Sequence, residues 1–301
     1  MWLPQFACPE CRETLVQDTA GAFLCLSCQQ RYERREGIYR FLSPSRLHTA
    51  APFAQHYRLV REQAGYRETA PEYYRMLPVV AQNNPCAAEW RIRRESYAHF
   101  QQRALPGVWQ GPIRALDLGA GSGWLSHRLA SFGHHAVAVD RLDDQVDGLG
   151  ACRHYPVAFA VVEADFDALP FEPAQFDVVI LNSSLHYSPE PAATLAEAKR
   201  MLVPGGSLVV MDSPMFAHAS DGHAMVDAQR FACVTHSDVT DAVGTGVGFL
   251  TFDDLDRLAR DLGLQARFFP SRGPLRWRLR RQLSRLRLWR RPAAFGVWVA
   301  Q

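Results

Sequence analysis

The most constraining feature of this chain is a short apolar strand that runs directly into a glycine-rich turn. Residues 113–123 read IRALDLGAGSG, and residues 124–132 continue as WLSHRLASF, which is compatible with a helix. Glycine lacks a Cβ atom, so it tolerates positive φ angles and lets a ligand lie against the bare backbone. The start of the following helix offers unpaired N–H groups to such a ligand. Strand, glycine turn and helix together predict the opening of a Rossmann-like α/β fold.

The spacing of the turn separates the ligands that it could bind. Gly119, Gly121 and Gly123 follow a GxGxG pattern, whereas the fingerprint of a nicotinamide dinucleotide site is GxGxxG. In addition, Asp117 stands two residues before the first glycine. A carboxylate at that position would repel a pyrophosphate, but it suits a ligand that carries an ammonium and a sulfonium group.

Two further strands are each predicted to end in an acid. The segment GHHAVAVD ends in Asp140, 23 residues after Asp117, and this placement is used to hold ribose hydroxyls. The segment FAVVEADF ends in Asp165 and Phe166, an acid and an aromatic ring that suit the amine and the ring face of adenine. The sequence therefore predicts a site for a nucleoside that also carries positive charge.

These segments resemble the class I S-adenosylmethionine-dependent methyltransferases, in particular the broad type 11 group. DLGAGSG is similar to the first motif of that family, AVAVDR to the second and EADFDALPF to the third. FDVVILNSSLHYSP resembles the fourth motif, and AEAKRMLVPGGSLVVMD resembles the helix and fifth strand that follow. The resemblance covers residues 108–214, and it implies a seven-stranded methyltransferase sheet and an enzyme that uses S-adenosylmethionine.

The resemblance also implies which residues bind the cofactor. They are Asp117, Gly119, Gly121, Gly123, Asp140, Arg141, Asp165, Phe166 and Asn182. Asn182 would lie near the sulfonium at the end of the fourth strand. Base-amine and glutamine methyltransferases commonly have an Asn/Asp-Pro-Pro-aromatic sequence there, whereas this chain continues with Ser-Ser-Leu. Methylation of an adenine or cytosine amine is therefore disfavoured, and a small or lipid-like acceptor is favoured.

Four of the seven cysteines form two CxxC pairs near the start of the chain. Thirteen residues separate the pair Cys8 and Cys11 from the pair Cys25 and Cys28, in a segment too short to bury a core of its own. Four thiolates suit a tetrahedral zinc ion, whose binding would supply the folding free energy of the segment. A redox CxxC is the alternative, but no thioredoxin-like βαβ pattern surrounds either pair. We therefore predict a closed structural zinc site.

The first 45 residues also resemble the Trm112-like family of small zinc-binding domains, through CPEC, FLCLSC and the REGI that follows. Modules of this family accompany methyltransferases, so the resemblance implies a partner domain rather than a catalyst. The predicted organisation is a zinc ribbon at residues 1–45, a helical linker or substrate cap at 46–107, and the methyltransferase domain at 108–301. Helical spacing of apolar residues supports the middle assignment.

Composition excludes two classes of protein. With 48% hydrophobic and 21% charged residues, the 301-residue chain is not a disordered one. It contains no run of roughly eighteen apolar residues that would predict a membrane span. The first residues also lack the basic and then apolar pattern of a signal peptide, so we expect a cytoplasmic protein.

Two features bear on the methyl acceptor. His186 follows the predicted fourth strand, where an acceptor should approach, and could accept a proton near neutral pH, although packing or a plain hydrogen bond is the alternative. A basic segment begins at Arg272 and ends at Arg291, with nine arginines and no acid. It could lie on an anionic membrane surface, contact RNA, or form the solvated face of a packed helix.

The sequence leaves three functions open. The favoured one is an S-adenosylmethionine-dependent methyltransferase with a small or lipid-like acceptor. The alternatives are an RNA base methyltransferase of the rRNA guanine type and an inactive, cofactor-binding partner subunit. The sequence identifies the methyl donor but neither the acceptor nor the oligomeric state.

Overall fold

The computed structural model describes residues 2–19, 21–104, 110–234, 246–271, 279, 283 and 290–301. The strands are β1 Val16–Gln17, β2 Phe23–Leu24, β3 Arg31–Arg35, β4 Ile38–Arg40, β5 Arg114–Leu118, β6 His135–Asp140, β7 Ala160–Glu163, β8 Phe176–Asn182, β9 Leu202–Met211, β10 Met215–Phe216, β11 Leu250–Thr251, β12 Ala266–Pro270 and β13 Gly296–Ala300. The helices are α1 Pro44–Gln63, α2 Pro71–Met76, α3 Ala87–His99, α4 Trp124–Ser131, α5 Pro191–Met201, α6 Ala219–Val234 and α7 Phe252–Asp261.

Seven strands form the Rossmann-like sheet that the sequence predicts. Their order is β7-β6-β5-β8-β9-β13-β12, in which β13 runs antiparallel to both of its neighbours and the first five strands are parallel. The central strands are almost wholly buried because helices cover both faces of the sheet. On one face α5 and α7 pack through Leu195 and Leu255, and on the other α3 and α4 pack through Trp90 and Leu125.

The N-terminal strands extend the same sheet. β1 to β4 pair in antiparallel succession, and β4 then pairs in parallel with β7, with Tyr39 opposite Val162 and Arg40 opposite Glu163. The complete sheet therefore has eleven strands. The sequence does not predict this junction, since a three-residue strand carries too little pattern to reveal its partner.

The ribbon and the large sheet also share a core. Cys8, Cys25 and Phe6 belong to the same buried apolar cluster as Leu116 of β5 and Val179 of β8. The burial of each unit therefore depends on the presence of the other. Segments joined by one core are expected to unfold together rather than separately.

An ion-pair network fixes the ribbon to α5. The Glu197 carboxylate accepts hydrogen bonds from Arg12 at 2.7 Å, from Arg200 at 2.7 Å and from the backbone N–H of Leu169 at 3.0 Å. Desolvation raises the pKa of Glu197, but the hydrogen bonds from the two arginines outweigh it and hold the pKa below its ordinary value. The ionised carboxylate is therefore the stable form at this junction.

The basic segment lies almost wholly outside the described residues. Leu279 and Leu283 are described, and their side chains are exposed at 51% and 66%. Contact of this segment with a membrane or with RNA stays a prediction. Within the described ranges, every helix is too short or too polar to cross a bilayer.

Replacing Glu197 with Gln should destabilise the protein by about 1–3 kcal/mol at pH 7, because two charge-assisted hydrogen bonds are weakened. A depressed pKa gives stability that is fully present above the unfolded value and is lost as the pH falls through the folded value. The difference between variant and wild type should therefore shrink below about pH 4.5. Denaturant unfolding at pH 7, 5 and 3.5 measures it. Glu190→Gln, at an exposed position, is the control, and a pH-independent difference would contradict the network.

Candidate functional site

The glycine turn lies at the carboxyl end of β5, where the sequence predicts it. Gly119, Gly121 and Gly123 have φ angles of 73°, 53° and 75°, in the left-handed region that side chains disfavour. A Cβ on Gly119 would lie 2.3 Å from the Cβ of Ser184, and one on Gly123 would lie 2.6 Å from the Sγ of Cys152. The backbone angle and the available space both require glycine at these two positions. The turn thus presents bare backbone ahead of α4.

Asp140, at the end of β6, holds this turn in place. Its carboxylate accepts hydrogen bonds from the backbone N–H of Gly121 at 2.8 Å and from that of Leu142 at 2.9 Å. Burial raises the pKa of Asp140 more than these two bonds lower it. Each carboxylate oxygen can still accept a second hydrogen bond, so the predicted contact with ribose hydroxyls is compatible with this geometry.

Two buried acceptor oxygens near the turn have no hydrogen-bond partner among the described residues. Asp117 accepts from the hydroxyl of Ser126 at 2.9 Å through Oδ2, while its Oδ1 is unpaired. Oδ1 of Asn182, at the end of β8, is unpaired as well. Asp117 lies opposite Ile180, so Asn182 is two residues further along the same face of the sheet. Unpaired buried acceptors on adjacent strands suit a ligand that brings positive charge or hydrogen-bond donors.

A small cavity of about 60 Å³ lies over the turn. The predicted residues that line it are Gly119, Gly121, Asp140, Arg141 and Phe166. Phe53 and Tyr57 of α1 line it too, together with Tyr187. The predicted residues Asp117, Gly123 and Asn182 are close in sequence but do not line this cavity. The structure therefore brings most of the predicted set together beneath a helix.

The sequence predicts a helical linker or substrate cap at residues 46–107, but it identifies none of the α1 residues that line the cavity. The ring of Tyr57 meets that of Tyr187 edge-on at a centroid distance of 5.8 Å, and Phe53 meets the same ring at 5.7 Å. One turn further on, Arg61 forms an ion pair with Asp147 at 3.0 Å. Phe53, Tyr57 and Arg61 are spaced four residues apart, which places them on one helix face. That spacing was the available signal for a helix that covers a site.

Asp165, predicted to bind the adenine amine, is paired with two cations of the protein. Its carboxylate lies 3.1 Å from Arg46 of α1 and 3.5 Å from Arg141. It lines a second cavity of about 440 Å³, to which Phe166 and Tyr187 also contribute. An adenine amine would therefore share or compete for a carboxylate that also holds the start of α1.

His186 lies in the short turn Leu185–Tyr187 after β8, and its ring is buried. Its Nδ1 is 3.1 Å from the hydroxyl oxygen of Ser213. Burial, and then the charge of Arg93, lower the pKa of His186 to about 3. The ring is therefore neutral at pH 7 and only weakly basic. The proposed role as a general base stays a prediction.

The four N-terminal cysteines converge on one point. All four Sγ atoms lie within 4.8 Å of one another, with Cys8 and Cys28 at 3.5 Å and Cys11 and Cys25 at 3.3 Å. A tetrahedral zinc ion with Zn–S bonds of about 2.3 Å spaces its sulfurs by roughly 3.8 Å. The donor set and its dimensions thus fit zinc. With four protein thiolates, such a site leaves no open position for chemistry.

The comparisons with known proteins agree with this geometry. Residues 116–210 match the methyltransferase domain family. A solved structure assigned as a sarcosine dimethylglycine methyltransferase of Galdieria sulphuraria is similar, with a TM-score of 0.50 at 16% identity over 82% of this chain and 97% of that one. The fold is thus the Rossmann-like methyltransferase fold.

Two relatives from bacteria match about a third of this chain. A malonyl acyl-carrier-protein O-methyltransferase of Hahella chejuensis is 35% identical over 99 residues, which cover 33% of this chain and 36% of the relative. A ubiquinone biosynthesis O-methyltransferase of Xylella fastidiosa is 33% identical over 102 residues, which cover 32% of this chain and 40% of the relative. The chain thus spans less than half the length of either relative.

The carboxyl of Asp117 should make the stability of the protein depend on pH. Burial raises its pKa to about 7, against the lowering effect of the Ser126 hydroxyl. A raised carboxyl pKa gives stability that is present below the unfolded value, about 3.9, and is lost as the pH rises through the folded value. Relative to Asp117→Asn, the unfolding free energy of the wild type should fall between pH 4 and 7, by up to on the order of 4 kcal/mol. Denaturant unfolding across this range measures it. Asp256→Asn, at an exposed position, should reproduce the wild-type profile, and parallel profiles for Asp117→Asn would contradict the prediction.

Proposed function

We propose that the protein is an S-adenosylmethionine-dependent methyltransferase with a small or lipid-like acceptor. The observation that carries the proposal is the glycine turn after β5, which Asp140 holds and beside which the oxygens of Asp117 and Asn182 are unpaired. The family match over residues 116–210 supports the same reaction class. The named relatives, which act on a malonyl carrier protein or in ubiquinone biosynthesis, support the acceptor class.

The residues around the turn fit this methyl donor in charge and in hydrogen-bonding capacity. When bound, S-adenosylmethionine supplies an electrophilic methyl group on its sulfonium. The ammonium and sulfonium are positive, which suits the unpaired oxygens of Asp117 and Asn182. Asp140 would accept from the ribose hydroxyls, while Asp165 and Phe166 would meet the adenine.

Access of the donor requires α1 to move. Pockets that hold ligands of this size usually measure about 300–1,000 Å³, whereas the cavity over the glycine turn measures about 60 Å³. Phe53 and Tyr57 of α1 form part of its wall. We therefore assign α1 the role of a lid, which opens to admit the donor and then excludes water from it.

Methyl transfer is an in-line displacement, so the main task of the protein is positioning. A base is needed only if the acceptor keeps its proton until attack. The low pKa of His186 makes it a poor proton acceptor at neutral pH. An acceptor group that is already ionised, such as a carboxylate, needs no base and suits this site best.

We further propose that Cys8, Cys11, Cys25 and Cys28 bind one structural zinc ion in a Trm112-like ribbon. The sulfur geometry supports this assignment. The ribbon would then act through the sheet that it extends.

S-adenosylhomocysteine, the product of the donor, should bind the protein and raise its melting temperature, because a ligand selective for the folded state stabilises it. Asp140→Ala should weaken this binding by roughly 1–3 kcal/mol through the loss of charged hydrogen bonds. Asp143→Ala, at an exposed carboxylate in the same loop, is the matched control. Calorimetry gives both affinities. Stabilisation by NADH without stabilisation by S-adenosylhomocysteine would show that the donor is misassigned.

Transfer of a labelled methyl group to fractionated metabolite, lipid and RNA pools tests the acceptor class. We expect label in the metabolite or lipid fraction. Label confined to RNA would replace the proposed acceptor, and binding of S-adenosylhomocysteine without any transfer would favour a partner subunit.

Purified protein should contain close to one zinc ion per chain, and the double variant Cys25→Ser, Cys28→Ser should contain none, because it lacks half of the ligands. Cys152→Ala, which lies outside the cluster, should retain the metal. Elemental analysis measures all three. Full zinc retention in the double variant, or no zinc after metal-replete expression, would rule out this site.

A further inference from the structure

One arginine on the β9 side of the site, Arg93, has no acidic partner among the described residues. Arg93 of α3 is half-buried, and it makes no hydrogen bond or ion pair with any residue that the structure describes. Its guanidinium lies over the ring of Trp90 at 4.7 Å and over that of Tyr66 at 5.6 Å. A guanidinium stacked on rings still has its N–H donors free at the edge of its plane.

Three other arginines of the helical segment each form an ion pair with an aspartate. Arg46 pairs with Asp165, Arg61 with Asp147 and Arg67 with Asp144. Each of these pairs joins the helical segment to the carboxyl edge of the sheet. Arg93 forms no such ion pair with any of the described residues, so its N–H donors are available to a ligand.

The position of Arg93 follows from its spacing on α3. Ser96 lies three residues later and therefore on the same helix face. Its hydroxyl donates to Oδ1 of Asp212, the residue after β9, at 2.5 Å. The next residue, Ser213, contacts the ring of His186. Arg93 thus lies one helical turn from the groups that surround the expected path of the acceptor.

The electrostatics of the neighbours agree with this placement. Burial is the main cause of the pKa shifts of His186, Asp212, Tyr57 and Tyr187, and the charge of Arg93 lowers the pKa of all four. The charge of Arg93 therefore acts on the imidazole, on the buried acid and on both tyrosines. Asp212 itself is hydrogen-bonded to a serine and forms no ion pair with Arg93.

We propose that Arg93 binds an oxyanion on the methyl acceptor, a carboxylate or a phosphate, while the surrounding tyrosine rings contact the body of that molecule. This inference rests on the proposed methyltransferase function. A guanidinium forks its donors to match two oxygens of such a group. Arg93 lies on the side of Asp212, at the end of β9. β8 separates β9 from the strand that carries the glycine turn, a distance of roughly 10 Å. We therefore assign Arg93 to the acceptor rather than to the carboxylate of the methyl donor.

The test measures binding of small probes to the protein saturated with S-adenosylhomocysteine. Benzoate and phenyl phosphate carry the two oxyanions, and benzyl alcohol is the neutral comparison. Wild type should bind one or both anions more tightly than benzyl alcohol. Arg93→Gln should weaken anion binding by roughly tenfold or more, the loss expected for charge-assisted hydrogen bonds, and should leave benzyl alcohol unchanged. Arg93→Lys should retain part of the affinity.

Arg94→Gln is the matched control, since Arg94 is the next residue of α3, is exposed and points about 100° away around the helix. This variant should bind the probes as wild type does. Whichever anion binds more tightly identifies the oxyanion. Equal anion binding by wild type and Arg93→Gln, or no preference for anions over benzyl alcohol, would overturn the proposal.

A second measurement separates the acceptor from the donor. S-adenosylhomocysteine carries a carboxylate and 5′-methylthioadenosine does not. Arg93→Gln should bind both as wild type does. A loss of S-adenosylhomocysteine binding alone would show that Arg93 holds the donor, which would overturn the inference. Failure of wild type to bind S-adenosylhomocysteine would instead refute the proposed function.

Discussion

The parallel pairing of β5 between β6 and β8 is the constraint on which the candidate site depends. Parallel strands present their carboxyl ends at one edge of the sheet, so the glycine turn, Asp140 and Asn182 arrive there together although they are far apart in sequence. Asp140 then fixes the turn by accepting the backbone N–H of Gly121. β5 and β8 are buried beneath helices on both faces. A shift in their register would expose apolar side chains, and the loss of hydrophobic burial opposes it. The edge is therefore rigid, and the parts that can move are the helices laid across it.

The N-terminal ribbon is connected to this edge by a short path. β4 pairs with β7, and the backbone N–H of Phe41 bonds to the carbonyl of Glu163 at 2.9 Å. The chain then enters α1, where Arg46 reaches Asp165, two residues beyond Glu163. The ribbon thus fixes the position of β7, with which β4 pairs, and the position at which α1 begins. Because Cys8 and Cys25 are buried in the core of the large sheet, metal-dependent folding of the ribbon would affect the whole domain.

Local patterns account for what the sequence could predict. The glycine turn, Asp140 at the end of β6 and the two CxxC pairs are all encoded within a few neighbouring residues, and the structure brings them to the expected places. Asp165, predicted to end the next strand, lies two residues after β7. The pairing of β4 with β7 and the docking of α1 depend on contacts between distant residues, such as Arg61 and Asp147, 86 positions apart. No local pattern reports such contacts. The pKa of His186 could not be predicted from the sequence for a related reason, because burial and then the charge of Arg93, both set by the tertiary structure, lower it.

The contacts of α1 are suited to a helix that closes and opens. Of its 20 residues only Ala50 and Phe53 are buried, so little apolar surface would be exposed if it moved away. Its ion pair from Arg46 to Asp165 is partly exposed, and such pairs contribute little net stability. The strands beneath are buried on both faces and belong to the stable core. Elements that gate a ligand site are drawn from the least stable parts of a fold, and α1 meets that requirement while the sheet edge stays in place. Donor binding would then displace a helix that buries little apolar surface and would break its ion pair between Arg61 and Asp147, while the geometry of the glycine turn is already set when the donor arrives.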